Sequence, residues 1–346
     1  MDNLLIILKI CFWGIISFCL SILIFPLIIK FIELINARKK NLKLNAPIFQ
    51  ALHSKKSGTP TMGGILFWFV PIISILIINL LNYINSDFAN WLNFLSRRET
   101  YLPLGFLVFG GLIGLIDDII GLFFLKKNGL SIKEKLIVYF AFSIIITWWI
   151  VVKLGIRYLY IPFIGRIYVN IFIFSLFLIF YFIAVSFSAN ETDGLDGLLG
   201  GIAIIIIGTL TVISFINGNY NLVITSIIII SSLLLFLWFN VYPAKIFMGD
   251  TGSMAIGSYI AVVSLLEGVY FLLPLLAFIF VLESYSVIIQ TISKKIFKKK
   301  VFISTPIHHH FEALNIPEPN IVFKFWLINL IGALIAFIIF ILDKLV

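Results

Sequence analysis

Five short strings place reactive side chains where apolar runs alone would not need them. In Gly110-Gly111-Leu112-Ile113-Gly114-Leu115-Ile116-Asp117-Asp118, adjacent carboxylates close an apolar run. Carboxylates at membrane depth are costly and ordinarily serve a site; side by side they repel unless a cation or a raised proton affinity relieves them. The string Asn190-Glu191-Thr192-Asp193-Gly194-Leu195-Asp196-Gly197 sets two more carboxylates three residues apart, on one face if a helix begins there. The free amides of such a helix start favour phosphate. A Ca²⁺ loop competes, but the EF-hand spacing and its closing Glu are absent, and a plain capped loop is the simplest alternative. In Phe247-Met248-Gly249-Asp250-Thr251-Gly252-Ser253 an Asp stands between glycines, which would let backbone approach a bulky ligand; an N-cap Asp would look the same. The stretch His53-Ser54-Lys55-Lys56-Ser57-Gly58-Thr59-Pro60-Thr61-Met62-Gly63-Gly64 joins cations, hydroxyls and a glycine pair. It has the chemistry of a phosphate cradle without Walker A spacing, and its lysines also suit a simple topology signal. Thr305-Pro306-Ile307-His308-His309-His310-Phe311-Glu312 is the most unusual. Three consecutive His cannot all face one metal from a regular element, and zinc sites use spaced pairs. As donors to phosphate oxygens, one or two would suffice.

The elements that must hold these residues are membrane spans. Of 346 residues, 61% are hydrophobic and only 12% charged, against about 25% charged in ordinary globular chains. With 36 Phe and a mean hydropathy of +1.14, a water-soluble particle is excluded, as are disorder, a coiled coil and a disulfide scaffold. Ten runs approach the roughly 20 residues a crossing needs: 4–29, 61–82, 101–122, 134–152, 169–188, 198–216, 221–241, 253–268, 270–290 and 322–343. The eighth is weakened by Gly257 and Glu267. The first run exceeds a signal peptide's apolar region and lacks a cleavage site, so it reads as a permanent span. Cys11 and Cys19 lie in it, about 12 Å apart by helix rise and too far for a disulfide.

Seventeen Lys and Arg fall in the loops 30–60, 123–135, near 245 and 291–321, and six in the alternate loops. The positive-inside rule makes the richer side cytoplasmic, with both termini outside. Every motif then falls on the cytoplasmic side. The formal charge of +9 reads as topology and headgroup contact rather than nucleic-acid binding. The expectation is an all-α polytopic membrane protein, one integral domain over 1–346, with an active cleft at the cytoplasmic face. The outward segment 153–168 suits a short hairpin.

Carboxylates, a lysine and imidazoles at one membrane face describe Mg²⁺-dependent phosphoryl chemistry, since Mg²⁺ takes one or two carboxylates plus phosphate oxygens and water. A soluble reaction would not need ten spans, so one reactant is a lipid. An ion transporter would place acids near span midpoints, and only Glu283 lies there.

The strings GTPTMGG, LIDD, NETDGLDGL, FMGDTGS and PIHHHFE, in that order, resemble the phospho-N-acetylmuramoyl-pentapeptide-transferase family. The wider superfamily of polyprenyl-phosphate sugar-1-phosphate transferases shares the aspartate motifs; PIHHHFE resembles the muramoyl-pentapeptide branch rather than the one using UDP-N-acetylglucosamine, which is the alternative. The resemblance implies transfer of phospho-MurNAc-pentapeptide from UDP-MurNAc-pentapeptide to undecaprenyl phosphate, giving lipid I and UMP, with Mg²⁺, in the bilayer of a bacterial cytoplasmic membrane. A homodimer is compatible with it. By motif, Asp250 resembles the principal metal ligand, with Asp117 a second. Asp117 would deprotonate or position the lipid phosphate, with Asp118 beside it and His309 completing the catalytic set. Lys56, Thr61, Asn190, Asp193, Asp196, Asn240, Phe247, His308 and His310 match substrate-binding positions, and Gln290 is a weaker match. Phe187, Glu191, Tyr242 and Lys245 depart from the family pattern, and residues 313–316 look shortened. A direct attack by the lipid phosphate asks less of the protein than a covalent intermediate.

Overall fold

In lipid a backbone can satisfy its own polar groups only as a helix or a closed barrel, and the apolar runs fold accordingly. The computed structural model describes residues 2–38, 58–84, 87–96, 100–123 and 130–346. In chain order the helices are α1 (Asp2–Leu34), α2 (Ile65–Ile84), α3 (Asp87–Leu92), α4 (Tyr101–Phe123) and α5 (Ile132–Trp148), the last continued by a π-helical turn, Trp149–Lys153. There follow strands β1 (Tyr158–Ile161) and β2 (Gly165–Tyr168), then α6 (Ile171–Thr192), α7 (Leu198–Ile216), α8 (Tyr220–Asn240) and α9 (Asp250–Leu266). The chain ends with α10 (Leu273–Leu276), α11 (Phe278–Ile296), α12 (Ile307–Ala313) and α13 (Glu318–Leu345).

Among the described residues, eight helices are long and apolar enough to cross a membrane. Of the ten anticipated runs, the eighth and ninth fall short of that measure for different reasons. α9 has 17 residues, and every one from Thr251 to Leu265 is buried, so protein rather than lipid surrounds it. The ninth run breaks at Ala277 between α10 and α11, and α11 buries Glu283 and Gln290. The anticipated hairpin is present: β1 and β2 pair antiparallel from Tyr158 opposite Tyr168 to Ile161 opposite Gly165. It is tied to the end of α13 by Asp343, which accepts from the Tyr160 hydroxyl at 2.8 Å and the Phe163 amide at 2.5 Å. Glu267, read as a flaw in the eighth run, sits at the C-cap of α9. It accepts from Ser214, Asn217 and Asn219 across the α7–α8 turn.

α9 packs most extensively on α4 and next on α6. The α4 contact runs through small residues at a four-residue spacing, the arrangement that lets helix backbones touch in membranes. A Cβ at Gly114 would lie 2.1 Å from the Asp250 carbonyl oxygen, and one at Gly110 would lie 2.6 Å from Ser258 Oγ. A second close approach joins the segment before α2 to the segment before α9. Gly63 and Gly64 donate their amides to the carbonyls of Phe247 and Met248 at 2.9 Å each, and Phe247 donates to Pro60 at 2.8 Å. A Cβ on Gly64 would meet Gly252 Cα at 2.2 Å. The glycines of these two motifs therefore admit each other's backbone, where the sequence suggested room for a ligand.

Gly114→Ala should lower stability by about 1–3 kcal/mol through overpacking. Gly105, on the same helix with nothing within 4 Å of its built Cβ, is the control: thermal melting in detergent should fall for Gly114→Ala and not for Gly105→Ala.

Candidate active site

Three helices deliver the acidic cluster. α4 carries Asp117 and Asp118 in its C-terminal half, α6 ends just after Asn190, and α9 begins at Asp250. A fourth is α5, whose start is set by a capping box: Ser131 Oγ accepts from the Glu134 amide, and Glu134 accepts from the Ser131 amide at 2.7 Å. This fixes Lys135 in the first turn.

Lys135 is the centre of the cluster. Its Nζ lies 2.9 Å from Asp117 Oδ2, 2.6 Å from Asp250 Oδ2 and 3.3 Å from Asn190 Oδ1. Asn190 donates from Nδ2 to Asp250 Oδ1 at 2.6 Å and to Ser253 Oγ at 2.9 Å. Asp117 is fully buried and also accepts from the Leu130 amide at 2.5 Å, joining the end of α4 to the approach of α5. Asp118 faces another way. Its two oxygens accept from the amides of Asp250 at 3.1 Å and Thr251 at 3.0 Å, so it caps the N-terminus of α9, where an anion is favoured. Thr251 continues the junction, donating to the Gly111 carbonyl at 2.8 Å and accepting from Trp68.

Asp193 and Asp196 lie in the turn between α6 and α7, not in the first turn of a helix. Asp196 accepts from the Ala244 amide at 2.9 Å, and its own amide donates to Glu318. Asn240 bridges the same region, accepting from Gly197 N at 3.0 Å and donating to the Ile246 carbonyl at 2.8 Å. Phe247 is partly buried in the strand-like contact with Pro60, and Thr61 donates its amide to Ala37. Lys56 lies outside the described residues.

The histidines arrive by a chain reversal. After α11 the chain runs back along that helix: Ser293 Oγ donates to the Lys299 carbonyl, and Gln290 accepts from Val301 and Phe302 and donates to Phe302. Further back, His308 Nδ1 is 3.0 Å from Glu283 Oε2. Glu283 is about 20 Å along α11 from its C-terminal end by helix rise. The three His rings then diverge. His309 Nδ1 pairs with Glu312 at 2.6 Å, and His310 Nδ1 accepts from the Ile303 amide at 3.2 Å. His308 lies against Gly194, where a Cβ would fall 2.0 Å from its Nε2, so the His helix docks on the turn four residues past Asn190. Gln290 thus spends its amide on backbone, not on an open cleft.

Sequence reasoning passed over Lys135, which it counted among the topology lysines. Its only local signal is the capping box that precedes it. Tyr139, one turn further along α5, is buried with a hydroxyl that lacks a hydrogen-bond partner among the described residues.

No three His, Cys, Asp or Glu side chains among the described residues form a closed metal cage. What converges is Asp117, Asp250 and the Asn190 oxygen around one cationic nitrogen, a hard-oxygen set with too few protein donors to enclose an ion. That suits a divalent cation which keeps water and substrate oxygens.

Residues 56–67 match the phospho-N-acetylmuramoyl-pentapeptide-transferase signature 1, and residues 101–268 match glycosyl transferase family 4. The phospho-N-acetylmuramoyl-pentapeptide-transferase of Thermoanaerobacter sp. (strain X514) is 37% identical over 335 residues, covering 95% of this chain and 98% of the relative. That of Lactobacillus johnsonii is 37% identical over 326 residues, covering 93% and 96%. The chain belongs to the phospho-N-acetylmuramoyl-pentapeptide-transferase family. A member from Vesicomyosocius okutanii, 38% identical over 304 residues, covers 82% of this chain and 80% of its own length. As a member of this family with multiple apolar helices, the protein is a bacterial integral membrane enzyme, a phosphotransferase.

Asp118→Ala leaves two amides at the start of α9 without their acceptor and should cost about 1–2 kcal/mol, the range of a lost N-terminal cap. Asp118→Asn keeps an acceptor and should melt between the two. Equal melting of all three proteins would show that the cap contributes nothing.

Proposed function

We propose that this chain transfers phospho-MurNAc-pentapeptide from UDP-MurNAc-pentapeptide to undecaprenyl phosphate, forming lipid I and UMP. Relatives carrying the name of that activity over nearly the whole chain favour it over transfer of GlcNAc-1-phosphate. The observation that carries the site assignment is the meeting of Asp117, Asp250 and Asn190 within 3.3 Å of the Lys135 ammonium nitrogen.

In this reading an oxygen of the lipid phosphate attacks the phosphorus that bears the sugar. The new P–O bond forms as the bond to the nucleoside phosphate breaks, and UMP leaves with the electron pair. Two anions must approach, so cationic side chains are needed. Lys135 is placed to meet them, and Lys56 is assigned the same duty by its motif. Asp117 positions the lipid phosphate or takes its proton, from a rigid place at the α4–α5 junction. Asp118 acts by holding the start of α9, and so Asp250, in place. Asn190 orients the Asp250 carboxylate. His309, kept in one orientation by Glu312, donates toward phosphate, with His308 and His310 beside it. Asp193, Asp196, Thr61, Asn240 and Phe247 shape the nucleotide side, two of them by bracing backbone. We assign Mg²⁺ as the divalent ion, held by Asp250 and Asp117; when bound it supplies charge neutralisation at the phosphates.

We further assign ten membrane crossings to a single domain over 1–346, with both termini outside and the site at the cytoplasmic face. The meeting of the C-terminal parts of α4 and α6 with the starts of α5 and α9, at Asp117, Asn190, Lys135 and Asp250, supports one shared face, and the excess of Lys and Arg on that side supports its orientation.

Purified protein supplied with UDP-MurNAc-pentapeptide, undecaprenyl phosphate and Mg²⁺ should release UMP. Asp250→Ala should reduce the rate by at least about a hundredfold, a loss of ~2.7 kcal/mol of transition-state stabilisation. A folded sample that releases none, or that prefers UDP-N-acetylglucosamine, rejects the assignment.

A further inference from the structure

Lys135 stands where a divalent ion would stand. Three oxygens from three helices, Asp117 Oδ2, Asp250 Oδ2 and Asn190 Oδ1, lie 2.9, 2.6 and 3.3 Å from its Nζ. Two cations cannot occupy that point together, because charges of like sign at this separation repel strongly in a sheltered site. One ammonium serves two acids, Asp117 fully buried among them. The third nearby acid, Asp118, has its own partners in the Asp250 and Thr251 amides. A divalent ion would meet the same Asp117 and Asp250 oxygens with twice the charge of the ammonium.

We propose that Lys135 is the resident counter-ion of Asp117 and Asp250, and that the divalent ion binds by exchanging with its ammonium. The side chain can make that move. The side chain is 17% exposed and that of Asp250 26%, while Asp117 is not exposed at all, so the cluster opens outward on the side of Lys135 and Asp250, and the lysine carries its ammonium on a flexible four-carbon stem. The neighbours that would remain are already fixed without it: Asn190 holds Asp250 through Oδ1 and Ser253, and the Leu130 amide holds Asp117. The carboxylates thus stay in place when the ammonium leaves. A released ammonium at the edge of the site is a donor for phosphate. Ion binding and diphosphate binding are then coupled through one lysine, each favouring the other by the same factor. This inference rests on the transferase reading for the presence of a divalent ion and a diphosphate, and it assigns Lys135 a positioning role that the motifs do not give.

The test uses the full chain in detergent with Mn²⁺ alone, read by electron paramagnetic resonance without substrates. Lys135→Met keeps the stem and removes the competitor. It should bind Mn²⁺ about tenfold or more tightly than the unaltered protein, a gain of ~1.4 kcal/mol, whereas a merely structural lysine would leave binding equal or weaker. Equal or weaker binding at unchanged melting temperature overturns the proposal. A second measurement needs no variant at Lys135. Amine acylation followed by mass spectrometry should label Lys135 faster as Mg²⁺ is added, while Lys153 at the far end of the helix is unaffected, and Asp250→Asn should abolish the acceleration. Labelling that Mg²⁺ leaves unchanged or slows overturns the exchange, and this result decides if Lys135→Met fails to fold. Neither readout involves UMP release, so failure here leaves the transferase assignment to its own assay.

Discussion

The start of α9 is the fixed point of the molecule. Its first amides need acceptors, as every helix N-terminus does, and in a buried setting water cannot supply them. Asp118 supplies two oxygens from α4, and that is feasible only because Gly110 and Gly114 bring the two backbones into contact. A carboxylate at a helix N-terminus also meets the positive end of the helix dipole, so one side chain satisfies hydrogen bonds and charge together. With α9 seated, Asp250 is aimed at the space where Asp117, Asn190 and Lys135 meet. Adjacent carboxylates that would repel thus have separate partners: Asp118 holds the first amides of α9, and Asp117 meets Lys135 and the Leu130 amide.

The same economy of polar groups runs through the motifs. Asn240, Asp196 and Gln290 each spend side-chain atoms on main-chain amides or carbonyls. The segments they hold, 194–197, 241–249 and 297–306, are irregular backbone between helices, whose polar groups must be paired when buried. Such side chains fix the course of irregular backbone around the acidic cluster.

What could be read from the residues alone follows from which physical signals are local. Spans are legible because apolar runs are long, and among the described residues eight recur as helices of sufficient length; α9 is harder to read because a helix enclosed by protein needs no lipid-matched length. The acidic motifs were legible because carboxylates are costly in an apolar run. Lys135 was not, since a lysine beside a span reads as topology, and only the fold shows it between Asp117 and Asp250. The glycines were legible as points of close approach, but the partner was misjudged: Gly64 meets Gly252, a contact between residues 188 positions apart that no local pattern encodes.

The histidine run shows why spacing arguments need direction as well as proximity. On a helix, consecutive residues are turned about 100° from one another, so three neighbours cannot share a target. Here each ring has its own: Glu283 for His308, Glu312 for His309, the Ile303 amide for His310. The pairing with Glu283 also removes the one observation that favoured a transporter. An acid deep in a span, facing no partner, would mark an ion path; an acid whose carboxylate meets a histidine carried in by a chain reversal marks a docking point. The reversal along α11, held by Ser293, Gln290 and Glu283 in succession, is what lets a short helix reach Gly194 and stand beside the turn that follows Asn190. The deep acid and the His run, unexplained when taken apart, are two halves of one joint.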